Sequence, residues 1–240
     1  MSGTPVHTLH RGEWSLAEAR RQLLSIAKEL HARGWLANHD GNVTMRMPAG
    51  KLLATPTAVS KRVLTEGDLI VVDGDDRVVQ GGRKPFSELK MHRAVYAARP
   101  DVQVVIHTHA PSATALAIAG KAVEPRMIAE AVVSLGDAIP LIGYGFPNGA
   151  EQVAALKAAA DRCDAATIEN HGVFAWGDDL EMAFLRMELV EHLATIQLRA
   201  MQAGALRTVP AADLERLLES RMKAGLGPEA RRRKKAQRGS

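Results

Sequence analysis

A chain of 240 residues with 46% apolar and 24% charged content suffices for one sizeable globular domain, and it has no run approaching the roughly 20 apolar residues a membrane span requires. The formal charge of +4 is terminal: setting aside Arg231, Arg232, Arg233, Lys234, Lys235 and Arg238 leaves 25 of the 31 basic residues against 27 acidic ones, so no specific nucleic-acid partner is expected. A single cysteine, Cys163, excludes an internal disulfide, and MSGTPVHTLHRGEW lacks an apolar leader core, which makes the cytoplasm the expected compartment.

Residues 1–14 read as an N-terminal arm and 15–224 as one domain. Ser15 and Glu18 form a capping-box pattern opening a helix that carries Leu16, Leu23, Ile26, Ala27 and Leu30 on one face and stops at Gly34. WLANHDGNVTMRMP turns through Asn38, His39, Asp40 and Gly41 into a short strand, with Val43 and Met45 on one face. KLLATP continues as a strand into the loop Thr55, Pro56, Thr57, Ala58, and DLIVVDGDDRVVQGG reads as a hairpin turning at Gly74, Asp75 and Asp76. In SELKMHRAVYAARP, Ser87 serves as N-cap and Glu88 opens an amphipathic helix that Pro100 ends.

The run VQVVIHTH is β-forming, so His107 and His109 fall two apart and point to one face. PSATALAIAG is a short helix with Pro111 in its first turn, whereas EPRMIAEAVVSLGDAIPLI is open between helix and strand. After the loop GYGFPNG comes the helix AEQVAALKAAADRC, then ATIENHGVFAWG, a strand, a turn holding Glu169, Asn170 and His171, and a second strand. A long helix, DLEMAFLRMELVEHLATIQLRAMQA, carries Glu188 and His192 at i,i+4, read as a surface ion pair rather than a metal pair. Pro210 to Lys223 gives a further helix, and residues 225–240, with almost nothing apolar to bury, read as a disordered basic tail. His7, His10, His31, His39 and His92 are read as solvated or supporting side chains.

His107, His109 and His171, with Glu88 nearby, supply the inventory of a zinc site that keeps an open position, although HxH on a strand would equally suit a solvated face. SELKMH, RPDVQVVIHTHAPSATALA and ENHGVFAWG, ordered and spaced across residues 15–203, resemble the three signatures of the class II aldolase and adducin head-domain family. The resemblance implies an α/β fold, a three-layer α/β/α arrangement around a central, mostly antiparallel sheet, and a homotetramer with sites at subunit boundaries. It further implies Zn2+, or another divalent ion such as Mn2+ or Co2+, on His107, His109 and His171, with Glu88 as the acid/base that also ligates the metal when substrate is absent.

The activity so implied is that of a lyase cleaving a carbon–carbon bond of a hydroxy-carbonyl substrate, a sugar phosphate among the candidates, through a metal-stabilised enediolate. The alternative within the family is decarboxylation or dehydration of a keto or aromatic acid; a non-catalytic adducin-like module would have no reason to retain these four residues. Gly41-Asn42 resembles the family's GN turn and Thr55-Pro56-Thr57 its TPTG substrate loop, with Ala58 in place of the glycine. Two serines usual before the glutamate read Phe86-Ser87, and a tyrosine that reaches the neighbouring subunit's site is replaced near Met127, leaving Arg126. Asn42, Thr57 and Ser87 remain for a phosphate, Phe86 suits an apolar or aromatic substrate, Arg126 suits a carboxylate, and Glu169 is the alternative base.

Overall fold

Successive strand residues feed two separate apolar cores, Val104 and Ile106 entering one and Val105 the other, because side chains alternate across a pleated strand. The computed structural model describes residues 15–146 and 149–236, so the expected arm at 1–14 lies outside the described residues. Its eight strands are β1 (Asn42–Arg46), β2 (Leu52–Ala54), β3 (Ile70–Val72), β4 (Val78–Gln80), β5 (Val104–Thr108), β6 (Leu141–Ile142), β7 (Ala165–Ile168) and β8 (Gly172–Gly177). They form one sheet in the order β4-β3-β2-β1-β5-β8-β7-β6. Only β6 and β7 run parallel, so the sheet is mostly antiparallel, as expected.

Helices α1 (Leu16–Ala32), α2 (Leu89–Ala98), α3 (Pro111–Ile118), α4 (Ala129–Leu135), α5 (Ala150–Arg162) and α6 (Leu180–Ala203) divide between the two faces. The first core joins residues of α1, α3, α4 and α6 to the sheet; the second joins α2 and α5 to its other face. The Ser15 hydroxyl accepts the Glu18 N–H at 3.2 Å, and α1 buries Ala19, Leu23, Ala27 and Leu30, close to the face read from the sequence. The ambiguous middle stretch resolves into a single 3-10 turn, Pro125–Met127, then α4, then β6. At α2 the expected cap moves by one residue: Glu88, not Ser87, occupies the N-cap position, and its carboxylate makes no cap hydrogen bond because the site engages it.

The largest departure is at the C-terminus. Beyond α7 (Ala211–Lys223), the stretch expected to be disordered carries α8 (Gly227–Ala236). Arg231 reaches Asp101 at 3.2 Å and Asp178 at 3.3 Å, and Arg232 reaches Asp161 at 2.6 Å. Nearby, the fully buried Asp164 is paired with Arg99, Arg186 and Arg221 at 3.1, 3.1 and 2.7 Å. Carboxylates distant in sequence thus hold a segment that has little apolar surface of its own, which composition could not show. Among the described residues, no helix is long and apolar enough to cross a membrane.

Candidate metal centre and adjoining cleft

Strand β5 carries His107 opposite Phe174 of β8, and the two rings stack with centroids 4.2 Å apart. The Nδ1–H of His107 donates to the Val173 carbonyl at 2.9 Å, which leaves the lone pair on Nε2. That Nε2 is buried and has no hydrogen-bond partner among the described residues. His109, one pleat further on the same face, is anchored through its backbone N–H to the Trp35 carbonyl at 3.1 Å. His171 comes from the three-residue turn between β7 and β8, where Asn170 takes a left-handed φ of +53°. One ring nitrogen from each of the three lies within 4.8 Å of the others.

Such an approach of β8 to β5 requires a glycine next to His171. A Cβ on Gly172 would stand 2.3 Å from the Thr108 carbonyl oxygen and 2.8 Å from His109 Cδ2. Gly41 is constrained likewise, with a φ of +66° and a Cβ position 2.8 Å from the His107 carbonyl oxygen.

Glu88 faces the cluster from the start of α2. Its Oε1 lies 2.5 Å from His171 Nε2 and 3.4 Å from His107 Nε2, while Oε2 accepts from Asn42 Nδ2 at 2.7 Å. Burial pushes the carboxyl upward, but the His107 and His171 imidazoles outweigh it and hold the group well below the usual carboxylate range. Asn42 is itself held: its Oδ1 accepts from His92 Nε2–H at 2.5 Å, and His92 Nδ1 accepts from the Thr44 hydroxyl at 2.8 Å, itself 2.9 Å from the Tyr96 hydroxyl. A buried chain of hydrogen bonds therefore runs from Tyr96 to the Glu88 carboxylate. Burial lowers His92 to about 3, so it is neutral at pH 7. Burial, then the neighbouring imidazoles, lower His109 to about 4.

The donor set fits a divalent cation. Among the described residues no hydrogen bond uses the His107 Nε2 lone pair, His109 is neutral at pH 7 and so keeps one ring nitrogen free to ligate, and Glu88 adds an ionised oxygen beside two of the imidazoles.

An open cleft of about 310 Å3 adjoins Glu88 and is bordered by Gly41, Asn42, Thr57, Phe86 and Ser87, five of the residues expected to meet substrate. Ala58 takes a left-handed φ of +56°, a backbone conformation that favours glycine. Phe86 is only 8% exposed and packs edge-on against His92 at 5.1 Å, which makes it chiefly a core residue rather than a free aromatic platform. Arg126 is not brought to the cleft of its own chain, and its guanidinium is engaged by Glu124 at 2.7 Å. Glu169, the alternative base, instead accepts the Tyr144 N–H at 3.0 Å and fastens a loop. Glu188 pairs with Arg33 rather than with His192.

Sequence reasoning overlooked Lys61, which borders the cleft yet is 2% exposed and donates to the His39 carbonyl at 2.6 Å. Burial lowers its ammonium to about 8, against the raising influence of Asp40 and Glu88. Its place on the substrate-loop stretch, four residues past Thr57, was the available signal.

A mixed sheet flanked by helices, with three imidazoles on adjoining strand ends and a carboxylate facing them, defines a class II aldolase-type site, and the chain belongs to the Class II Aldolase and Adducin N-terminal domain family, whose model matches residues 21–198. The chain is 32% identical over 200 residues to a 5-methylthioribulose-1-phosphate/5-deoxyribulose-1-phosphate aldolase of Rhodospirillum rubrum, covering 83% of this chain and 89% of that one. It is 30% identical over 191 residues to a methylthioribulose-1-phosphate dehydratase of Acidiphilium cryptum, covering 76% and 90%. The solved structure of an L-fuculose 1-phosphate aldolase matches with a TM-score of 0.78 at 26% identity, covering 85% of this chain and 95% of that one.

Proposed function

We propose that the protein is a zinc-dependent lyase that cleaves the carbon–carbon bond of a phosphorylated ketose next to its carbonyl-bearing fragment. The observation that carries this reading is the Glu88 carboxylate, set 2.5 Å from His171 Nε2 and fixed from behind by Asn42 at 2.7 Å. His107, His109 and His171 would hold the ion, with Glu88 as a further ligand until substrate enters. When bound, the ion supplies a positive charge that polarises a carbonyl and offsets the negative charge developing as the neighbouring bond breaks.

The remaining work falls to the chain. Glu88 takes the proton from the hydroxyl on the carbon beyond the scissile bond and returns it to the carbon left behind. Asn42 keeps the second carboxylate oxygen occupied, so that Oε1 is the one aimed at the reacting group. Thr57 and Ser87, both exposed on the cleft, offer hydroxyls to the phosphate. The reading includes a homotetramer with sites at subunit boundaries, working in the cytoplasm; Arg126, engaged away from its own cleft, could act only across such a boundary.

A second reading, dehydration, is favoured by the similarity to the dehydratase, since the same base can remove a carbon-bound proton while a β-hydroxyl leaves. One substrate separates the two. Metal-replete protein given 5-methylthioribulose 1-phosphate yields dihydroxyacetone phosphate and methylthioacetaldehyde if it is an aldolase, and a dicarbonyl with no aldehyde if it is a dehydratase. Neither product from this substrate, from 5-deoxyribulose 1-phosphate or from fuculose 1-phosphate would refute the phosphorylated-ketose reading.

A further inference from the structure

Lys61 is a buried cation that the chain itself leaves under-used. Its side chain is 2% exposed, yet among the described residues its one hydrogen bond goes to a neutral acceptor, the His39 carbonyl at 2.6 Å. An ammonium has three donor hydrogens, so two remain. Among the described residues, no carboxylate oxygen stands within ion-pair distance of it. Burying an ammonium with so little compensation is costly, and the position is explained if its partner comes from outside the chain.

The surroundings indicate what that partner is. Lys61 is the one lysine or arginine bordering the cleft, whereas Asp40 and Glu88 are two carboxylates on it that repel an anion. The same loop presents Thr57, whose N–H donates to the Lys84 carbonyl at 3.0 Å, so the loop is fastened to the segment leading into Phe86, Ser87 and Glu88. The Phe86 ring, which borders the cleft, is turned onto His92 and offers no donor. The charged donor on the cleft is thus Lys61.

We propose that Lys61 is a specificity-determining residue whose ammonium pairs with the anionic group of the substrate in the cleft beside Glu88. The proposal rests on the lyase reading above and deepens it by assigning a residue to the charged end of the substrate. It predicts that the cleft prefers an anion over the corresponding neutral sugar because of this one side chain.

The test compares wild type with Lys61→Met, which keeps the length of the side chain without its charge, and with Lys61→Arg, which keeps the charge. Calorimetric titration of metal-replete protein with inorganic phosphate, and separately with malonate as a carboxylate probe, reads binding without relying on turnover. Lys61→Met should weaken phosphate binding about ten-fold or more, as expected for a lost charge-assisted hydrogen bond, while Lys61→Arg stays within about three-fold of wild type. Metal content and melting temperature should not fall in Lys61→Met, since removal of a sparsely compensated buried charge relieves the folded state. If malonate binding weakens and phosphate binding does not, the assignment of Lys61 stands and the phosphorylated substrate falls. Unchanged binding of both anions in a folded, metal-loaded Lys61→Met protein overturns the assignment alone, because cleavage of a ketose phosphate by wild type is measured independently.

Discussion

Replacing Asn42 with alanine tests whether the buried hydrogen-bond chain sets the position of Glu88. The change removes the donor to Glu88 Oε2 at 2.7 Å and the acceptor for His92 Nε2–H at 2.5 Å. A hydrogen bond to an ionised carboxylate is worth about 1.5–3 kcal/mol, and leaving a fully buried imidazole donor without a partner costs about 1–3 kcal/mol more. Asn42→Ala should therefore lower stability by about 3–5 kcal/mol in urea titrations of the metal-loaded protein. Turnover should fall about ten- to hundred-fold, since a carboxylate held from one side alone spends less time aimed at the substrate. The kinetic split is decisive. If Asn42 serves only to contact the substrate's phosphate, KM rises and kcat is kept; if it orients the base, kcat falls. A stability loss under about 1 kcal/mol with unchanged kcat would refute the orienting role.

Three other outcomes follow from the same geometry. Gly172→Ala should lose stoichiometric metal and more than about 2 kcal/mol of stability, because its Cβ would lie 2.3 Å from a backbone oxygen and 2.8 Å from the His109 ring; elemental analysis and urea melts check it, and normal metal content would contradict it. The metal-free protein should lose stability as pH falls below about 6.5, by up to about 1.4 kcal/mol per unit for each of His92 and His109, since their folded values near 3 and 4 lie below the unfolded one and the unfolded chain takes up the proton first. Urea titrations at pH 7, 6 and 5 read this slope, and a flat profile would contradict it. Arg231→Ala should cost about 1–3 kcal/mol by leaving Asp101 and Asp178 without that cation, whereas no loss in thermal unfolding would mean that α8 adds nothing to the fold.

That His107, His109 and His171 come together with Glu88 was legible because strand alternation puts His107 and His109 on one face from sequence alone, and because the segments around Glu88 and His171 resemble the family's signatures. The sheet's hairpins and most helices were legible for the same local reasons: β-branched runs, turn residues and caps. What escaped depends on contacts between distant segments. Lys61 looks like an ordinary loop lysine until the loop folds back and buries it. His92 was grouped with solvated or supporting histidines, and only its position between Thr44 and Asn42 shows that it braces the amide that holds Glu88. The tail was misjudged because composition registers apolar content, while α8 is held through Arg231 and Arg232 by aspartates at 101, 161 and 178. Phe86 was given a substrate role from a one-residue departure, and the structure gives most of its ring to the core.

The central claim, that His107, His109 and His171 form a metal centre, is tested most directly by elemental analysis of purified protein alongside the single alanine substitutions of these histidines, each checked for native circular dichroism. The account predicts about one divalent ion per chain in wild type, zinc foremost, and well below half of that in each folded variant. Stoichiometric metal in folded His109→Ala and His171→Ala proteins would contradict it.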